Sequence, residues 1–594
     1  MKKLKERWRE IVYRAVTAIA EKSGFETGEL APEKIITEVP PDMRMGEIAF
    51  PMFQFSRLLK SAPNVIAEEC LSEIEKLSSK GELDLNELGL PTVKGPYLNI
   101  KLNRESVTAK TIDAVSSEGS EYGKSDILSG KRIMIEFSCP NTNKPLHLGH
   151  LRNDAIGFSV ANLLVASGAT VKRVNLINDR GIHICKSMAA YERFGKGSTP
   201  ESEGIKGDHF VGKYYVMFNE WVSKDPEAEA IAREMLKKWE NGDEKTIALW
   251  KKMNRWAIEG ISRTYEKTGI GFDKIYYESE TYKLGKDEVL KGLEGGIFYK
   301  EEDGSVWVDL TEEGLDRKVL LRSDGTSLYL TQDIGTAVQR YRDWPFDRLI
   351  YVVASEQNYH FKVLFLVLKK LGHQWAENLF HLSYGMVNLP EGKMKSREGK
   401  VVDADDLFEE LKLLAREEIG SKEREGEIED AEKTAEKIAL GALNYYLLQV
   451  SPQKDMVFSP EESISFTGNT GPYLQYTGAR ISSMITKYRE RESRYRGGQF
   501  KAELLGEEAE WEIIRRIASY PEIVEQAAEN YNPSILAVYL YELCKAYSRY
   551  YHDFPVLHND DINLVASRIK LASVLLIVLR NGMGILGIPF LEKM

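Results

Sequence analysis

The stretch 132–177 constrains this chain more than any other. Arg132–Phe137, RIMIEF, is a short run of β-forming residues, and the polar turn SCPNTNKP follows it. A helical pattern then runs from about His150 to Ser167 and stops at Gly168, and Val171–Ile177, VKRVNLI, is extended again. Strand, helix and strand in so short a span make a βαβ unit, which requires a parallel sheet covered by helices. Leu349–Ala354, LIYVVA, with a helical pattern from about Tyr359, adds a further βα step.

The flanks read differently, and 594 residues are too many for one core. Near the N-terminus Trp8, Ile11, Val12, Ala15, Val16 and Ile19 recur at helical spacing, predicting an amphipathic helix that ends near Gly24. Short extended pieces such as Pro96–Lys101 follow, and the Gly/Ser-rich Ser116–Lys124 marks a boundary. From about Ala404 strand signals vanish. A charged helical tract, Ala415–Lys437, leads into long amphipathic segments, the last from Leu564 to Arg580 with a stop at Asn581-Gly582. The expectation is a multidomain chain, α/β plus all-α. Residues 1–125 form a small α+β domain, 126–403 a parallel-sheet domain with insertions, 404–460 a connecting helical region, and 461–594 a helical bundle.

Several classes are disfavoured. No stretch approaches the ~20 apolar residues of a membrane span, and the N-terminus lacks an apolar run with a cleavage site, so a cytoplasmic protein is expected. Cys70, Cys139, Cys185 and Cys544 lie far apart, which indicates neither a disulfide framework nor a structural metal site. A net charge of −11 weighs against nucleic acid as a partner, but a local basic face matters more than the sum. Lys487–Arg496, KYRERESRYR, sets five basic and two acidic residues around Tyr488 and Tyr495. It reads equally well as a solvated helix surface.

Two motifs carry chemistry. His147-Leu148-Gly149-His150 opens a helix at the carboxyl end of a parallel strand, where ligands of such sheets sit and where free N–H groups meet phosphate. Gly149 lets a flat base or a phosphate approach the backbone. His147 and His150 share one helical face and can both donate to an α-phosphate; the alternative is that they only cap the helix. Far downstream, Lys393-Met394-Lys395-Ser396-Arg397-Glu398-Gly399 is a cationic, glycine-flanked loop of the kind that clamps a triphosphate and stabilises departing pyrophosphate.

In this order the motifs resemble the HIGH and KMSKS signatures of class I aminoacyl-tRNA synthetases, and their surroundings are similar to the arginyl-tRNA synthetase family. The likeness includes Ser138-Cys139-Pro140-Asn141 with Lys144-Pro145-Leu146 and HLGHLRN, then Leu328–Asp333, Tyr351–Gln357, Thr470–Tyr476 with Ala479-Arg480, and the ending from Asn581 to Met594. Gly46–Pro51 and Gly95–Asn99 resemble that family's additional N-terminal domain. The resemblance implies a Rossmann-like catalytic domain and a helical anticodon-binding domain. It implies ATP with Mg2+ as substrate complex, L-arginine and tRNA(Arg) as partners, no membrane, no structural metal and a monomer. It further implies His147, His150, Gly149, Lys393, Met394 and Lys395 around ATP, and Asn141 and Gln357 at the α-amino and carboxylate end of arginine. Tyr329, Asp333 and Glu278 would meet the guanidinium, with Glu280 as the rival of Glu278. Asn99, Tyr476, Arg480, Lys487 and Arg489 would meet tRNA. Carboxylates are the strongest partners for a guanidinium fork, and Tyr329 and Asp333, four apart, share a helical face.

The departures from the family pattern are specific. The second loop reads KMKSR, with Ser396 where a lysine is usual, and Lys144 is in place to substitute. Cys139 replaces a serine, and Gly478 a common histidine. The expected reaction is attack of the arginine carboxylate on the α-phosphorus, then transfer to the 2′-hydroxyl of the terminal adenosine, with tRNA needed for efficient activation and no editing domain. A class I synthetase for another amino acid is opposed by the acidic pocket. A non-catalytic tRNA-binding relative is opposed by the presence of both histidines, Lys393 and Asp333. A simple nucleotidyltransferase has no use for the helical C-terminal third.

Overall fold

A computed structural model describes residues 1–28, 30–388, 390, 402–421 and 430–594. They form two compact units, and the first joins the N-terminal segment to two later stretches: Met1–Gly123, Arg480–Ile523 and Glu542–Asn581. Its sheet is antiparallel, with strands β1 (Ile48–Pro51), β2 (Leu90–Lys94) and β3 (Tyr97–Lys101) in the order β1-β3-β2. Helix Lys2–Lys22 buries the six apolar residues of the predicted stripe. Buried carboxylates in this unit are matched by donors. Glu47 accepts from Trp511 Nε1 at 2.9 Å and from the Leu102 amide at 2.8 Å. Glu510 accepts from Arg568 Nε at 2.9 Å and from the Tyr550 hydroxyl at 3.0 Å.

The second unit is Lys124–Ala479, Val524–Tyr541 and Gly582–Met594. Its centre is a five-stranded sheet of β4 (Arg132–Glu136), β5 (Thr170–Ile177), β6 (Lys274–Tyr277), β10 (Arg348–Ala354) and β11 (Leu379–Tyr384). The order is β11-β10-β4-β5-β6 and every pair is parallel. The chain builds outward from β4 through β5 to β6, then returns to lay β10 and β11 on the other side. The switch point, where such sheets bind ligands, therefore lies between β4 and β10. Met134, Val174, Ile334, Leu349 and Leu364 belong to the core on this sheet. Between β5 and β6, helices Ile182–Phe194, Gly207–Lys224, Ala228–Glu240 and Glu244–Thr268 enclose their own core, which includes Phe210, Tyr214, Trp221 and Trp256. Between β6 and β10 lies a small antiparallel sheet, β7 (Tyr299–Lys300), β8 (Val306–Val308) and β9 (Lys318–Leu321).

Three expectations are corrected. Strands do not end at residue 404, because β13 (Met456–Val457) pairs in parallel with β12 (Val387–Asn388). Two residues are too few to show a sequence period. The last helix runs Ile562–Ile585, through Asn581-Gly582. Asn581 Nδ2 donates to the carbonyls of Gly119 at 3.0 Å and Tyr122 at 3.1 Å, so its side chain is used for packing and does not end the helix. The same helix is long and apolar enough to cross a membrane by length and composition, although 61% of its apolar window is buried inside the protein.

Candidate active site

The turn after β4 is held in an unusual conformation. Ser138 and Cys139 have φ of +77° and +51°, a region that side chains disfavour. Neighbours hold both residues. The Ser138 amide donates to Asn153 Oδ1 at 2.6 Å and its hydroxyl lies 2.7 Å from that of Tyr265. The Cys139 amide donates to Asn175 Oδ1 at 3.0 Å, and Asn178 Nδ2 donates to the Cys139 carbonyl at 3.1 Å. Asn153 also donates to the Val352 carbonyl in β10 at 2.7 Å, which braces the switch point. Asn141 emerges from this turn exposed to solvent.

His147 is the N-cap of helix Leu148–Ala166. Its Nδ1 accepts from the Gly149 amide at 3.1 Å, and its own amide donates to His150 Nδ1 at 3.2 Å. The histidines do cap the helix, and that fixes their chemistry. Each uses Nδ1 as an acceptor, so in the neutral ring the hydrogen sits on Nε2 as a donor. Burial, helped by nearby Lys144 and opposed by Asp403, draws His147 down to about 4. Burial, with His147 and Lys144, holds His150 well below the ordinary histidine range. Burial alone lowers Lys144. A β-carbon on Gly149 would stand 2.9 Å from His147 Cε1, so glycine is needed there to leave room for the ring.

Lys393, Met394 and Lys395 lie outside the described residues, but both flanks of their segment are fastened to the first motif. On the entry side, fully buried Arg152 donates to the carbonyls of Gly385 (2.7 Å), Met386 (2.9 Å) and Lys454 (2.6 Å). On the exit side, Leu148 donates to the Val402 carbonyl at 3.1 Å and Ala404 to the Leu146 carbonyl at 3.0 Å. An ion network secures the exit again. Lys206 Nζ meets Asp405 at 2.5 Å and Asp208 at 3.0 Å, and His209 Nε2 lies 3.2 Å from Asp403 and 3.3 Å from Asp405. The two carboxylates beside it raise His209 to about 10. The cluster Asp208, His209 and Asp405 has the spacing of a metal site, but Lys206 and a protonated His209 already neutralise it.

The residues expected around arginine come from four strand ends. Tyr329 begins helix Tyr329–Asp343 and is 74% exposed, with Asp333 one turn further on. Gln357, exposed, follows β10. Glu278 follows β6; burial raises it to about 7, opposed by Arg180, with Asp179 and Asp333 adding to the rise. Glu278 thus feels the charge of Asp333, whereas Glu280 is exposed. Asp333 itself is bonded to His360, a residue no motif singled out. Sequence reasoning also missed the buried pair Arg340–Glu136, at the end of β4. Arg340 lies two turns from Asp333 on the same helix, a spacing that can be read in the sequence only once Asp333 is taken as fixed.

The residues expected to meet tRNA lie in different settings. Asn99 is 3% exposed within β3. Tyr476, half-buried, packs edge-on against Phe466. Arg480 stacks over Tyr551 at 5.5 Å. Lys487 and Arg489 are exposed at the end of helix Gly471–Glu490. The basic run is not one helix: it breaks at Arg491 and folds back, so that Tyr495 stacks on Tyr488 at 5.1 Å.

Residues 111–459 match the family described as tRNA synthetases class I (R), catalytic domain. Residues 474–594 match the DALR anticodon binding domain, and residues 3–102 the arginyl tRNA synthetase N terminal domain. An arginine–tRNA ligase of Treponema denticola is 56% identical over 598 residues, covering 100% of both chains. Another from Treponema pallidum is 51% identical over 597 residues with the same coverage. The arginyl-tRNA synthetase structure of Thermus thermophilus superposes with a TM-score of 0.79 at 26% identity, covering 99% of this chain and 100% of that one.

Proposed function

The chain belongs to the arginyl-tRNA synthetases, the class I enzymes that ligate arginine to its tRNA with ATP, and from that premise we propose how its own residues divide the work. ATP, carried with Mg2+, lies over Gly149 with its α-phosphate against the Nε2–H groups of His147 and His150. Two neutral donors, already oriented and poor in water, stabilise the charge that grows as the arginine carboxylate oxygen attacks the α-phosphorus and pyrophosphate leaves. Lys144 supplies the cation missing at Ser396, while Lys393, Lys395 and the backbone at Met394 hold the departing phosphates. Asn141 and Gln357 hold the α-amino and carboxylate end of arginine, and Tyr329, Asp333 and Glu278 receive the guanidinium. The 2′-hydroxyl of the terminal adenosine then attacks the arginyl carbonyl and AMP leaves.

Arg480, Lys487 and Arg489 meet the tRNA backbone, Tyr476 offers a stacking face, and Asn99 acts from within β3 by ordering the strand beside the RNA. We place the enzyme in the cytoplasm as a monomer. The observation that carries this reading is the fastening of both flanks of the second motif to the start of the first-motif helix, which brings together segments far apart in the chain. Pyrophosphate exchange over all twenty amino acids, with and without tRNA, tests it: arginine alone is expected to support exchange, and tRNA to raise the rate. Exchange with another amino acid, or none with arginine, overturns the reading.

A further inference from the structure

Asp333 Oδ2 lies 2.6 Å from His360 Nε2. An ionised carboxylate can only accept, so the histidine must donate. His360 is held in place from both sides. The hydroxyl of its neighbour Tyr359 donates to Asp316 Oδ2 at 2.7 Å. Its other neighbour, buried Phe361, packs against Tyr351 at 5.0 Å and His381 at 4.4 Å, and His381 Nε2 donates to the Val353 carbonyl at 2.9 Å. Among the described residues Asp333 has no such support: its side chain is 35% exposed, and a carboxylate on an open helix face turns among rotamers unless a neighbour stops it. Guanidinium recognition needs the opposite, a carboxylate whose plane is set before the fork arrives, with an acceptor on each oxygen. One bond from His360 leaves enough lone pairs for both N–H groups of the fork.

We propose that His360 is a positioning residue for arginine, its Nε2–H fixing the rotamer and plane of the Asp333 carboxylate that receives the guanidinium. This rests on the reading of Asp333 as that acceptor. A fixed carboxylate favours a planar fork over a point cation, so His360 also contributes to the rejection of lysine and ornithine.

Arginine-dependent pyrophosphate exchange with tRNA present, in the full-length enzyme, tests the proposal in wild type, His360→Ala, His360→Gln and Asp333→Asn. Glutamine carries an amide N–H close to where the imidazole Nε2–H sits. The alanine variant is expected to raise the KM for arginine roughly tenfold, the effect of one hydrogen bond to a charged group, with kcat within about twofold and the KM for ATP unchanged. The glutamine variant should return to within about threefold of wild type, and preference for arginine over lysine should fall in the alanine variant only. A KM within about twofold of wild type in His360→Ala overturns the proposal, as does an equal loss in both His360 variants. A fall in kcat and Tm together would make the role structural and also overturn it. Asp333→Asn separates the two levels: if it raises the KM while His360→Ala does not, only the positioning role fails. If Asp333→Asn leaves the KM unchanged, the pocket reading fails and takes this one with it.

Discussion

Glu510, fully buried in the first unit, accepts from an arginine and a tyrosine. Asp154, just as buried in the second unit on the first-motif helix, has no hydrogen-bond partner on either oxygen among the described residues. Burial raises Asp154 to about 7, and the nearby Ser138, whose hydroxyl is bonded to Tyr265, offsets little of it. Other residues repeat the contrast. In the first unit buried Glu47 accepts from Trp511. In the second unit His147, His150, Lys144 and Glu278 are each pushed by burial towards the neutral form. Internal pairing makes buried polar groups part of the scaffold, whereas groups whose charged forms burial disfavours cluster at functional sites.

The sharpest way to break this comparison is to unpair the scaffold. Arg568→Ala leaves Glu510 buried without its cation and should cost about 3–5 kcal/mol of stability in chemical denaturation. Arginine activation per folded molecule is expected to stay unchanged. Equal loss of activation would mean that the two regions do not differ in kind. Next in size, His147→Ala or His150→Ala should slow adenylate formation by two or more orders of magnitude, about 3–4 kcal/mol, with tRNA binding barely altered. Single-turnover adenylation near the wild-type rate in either variant would remove the histidines from the mechanism.

Asp154 sharpens the contrast through pH. Its folded value, raised to about 7, exceeds the ordinary 3.8 of an unfolded chain, so the folded form holds a proton that the unfolded form has released. The stability this gives is complete below about pH 4 and is lost as pH rises to about 7. Asp154→Asn should therefore stabilise the protein by about 2–3 kcal/mol more at pH 8 than at pH 5, at 1.36 kcal/mol per unit. Parallel melting curves for the two proteins across that window would show the carboxyl to be ionised throughout. The smallest effect belongs to the surface of the first unit. Lys5 and Glu522 meet at 2.8 Å but are partly solvated, and Lys5→Ala should change stability by about 0.5 kcal/mol or less.

What could be read from the sequence was local. The βαβ unit appears almost residue for residue as β4, helix Leu148–Ala166 and β5, because hydrophobic period and turn residues are properties of neighbouring positions. The N-terminal stripe is buried for the same reason. Pairings across long stretches of chain left no such trace. Nothing near Arg152 indicates that it binds the carbonyls at 385, 386 and 454, and nothing near His209 indicates Asp403. Neither the bond from His360 to Asp333 nor the joining of Met1–Gly123 with Arg480–Ile523 and Glu542–Asn581 in one unit has a sequence period to reveal it. Asn581-Gly582 misled because the residues that end helices also serve where a helix packs closely: a β-carbon on Gly582 would stand 2.7 Å from the Leu540 side chain.

Gly385, Met386 and Lys454 are tied to Arg152, and Val402 and Ala404 to Leu148 and Leu146, so every one of these bonds ends within the seven positions from 146 to 152. The start of the first-motif helix is thus a common reference frame for stretches that lie far apart along the chain. A displacement there carries 385–386, 402–404 and 454 together, and none of them can shift alone without giving up a bond to it.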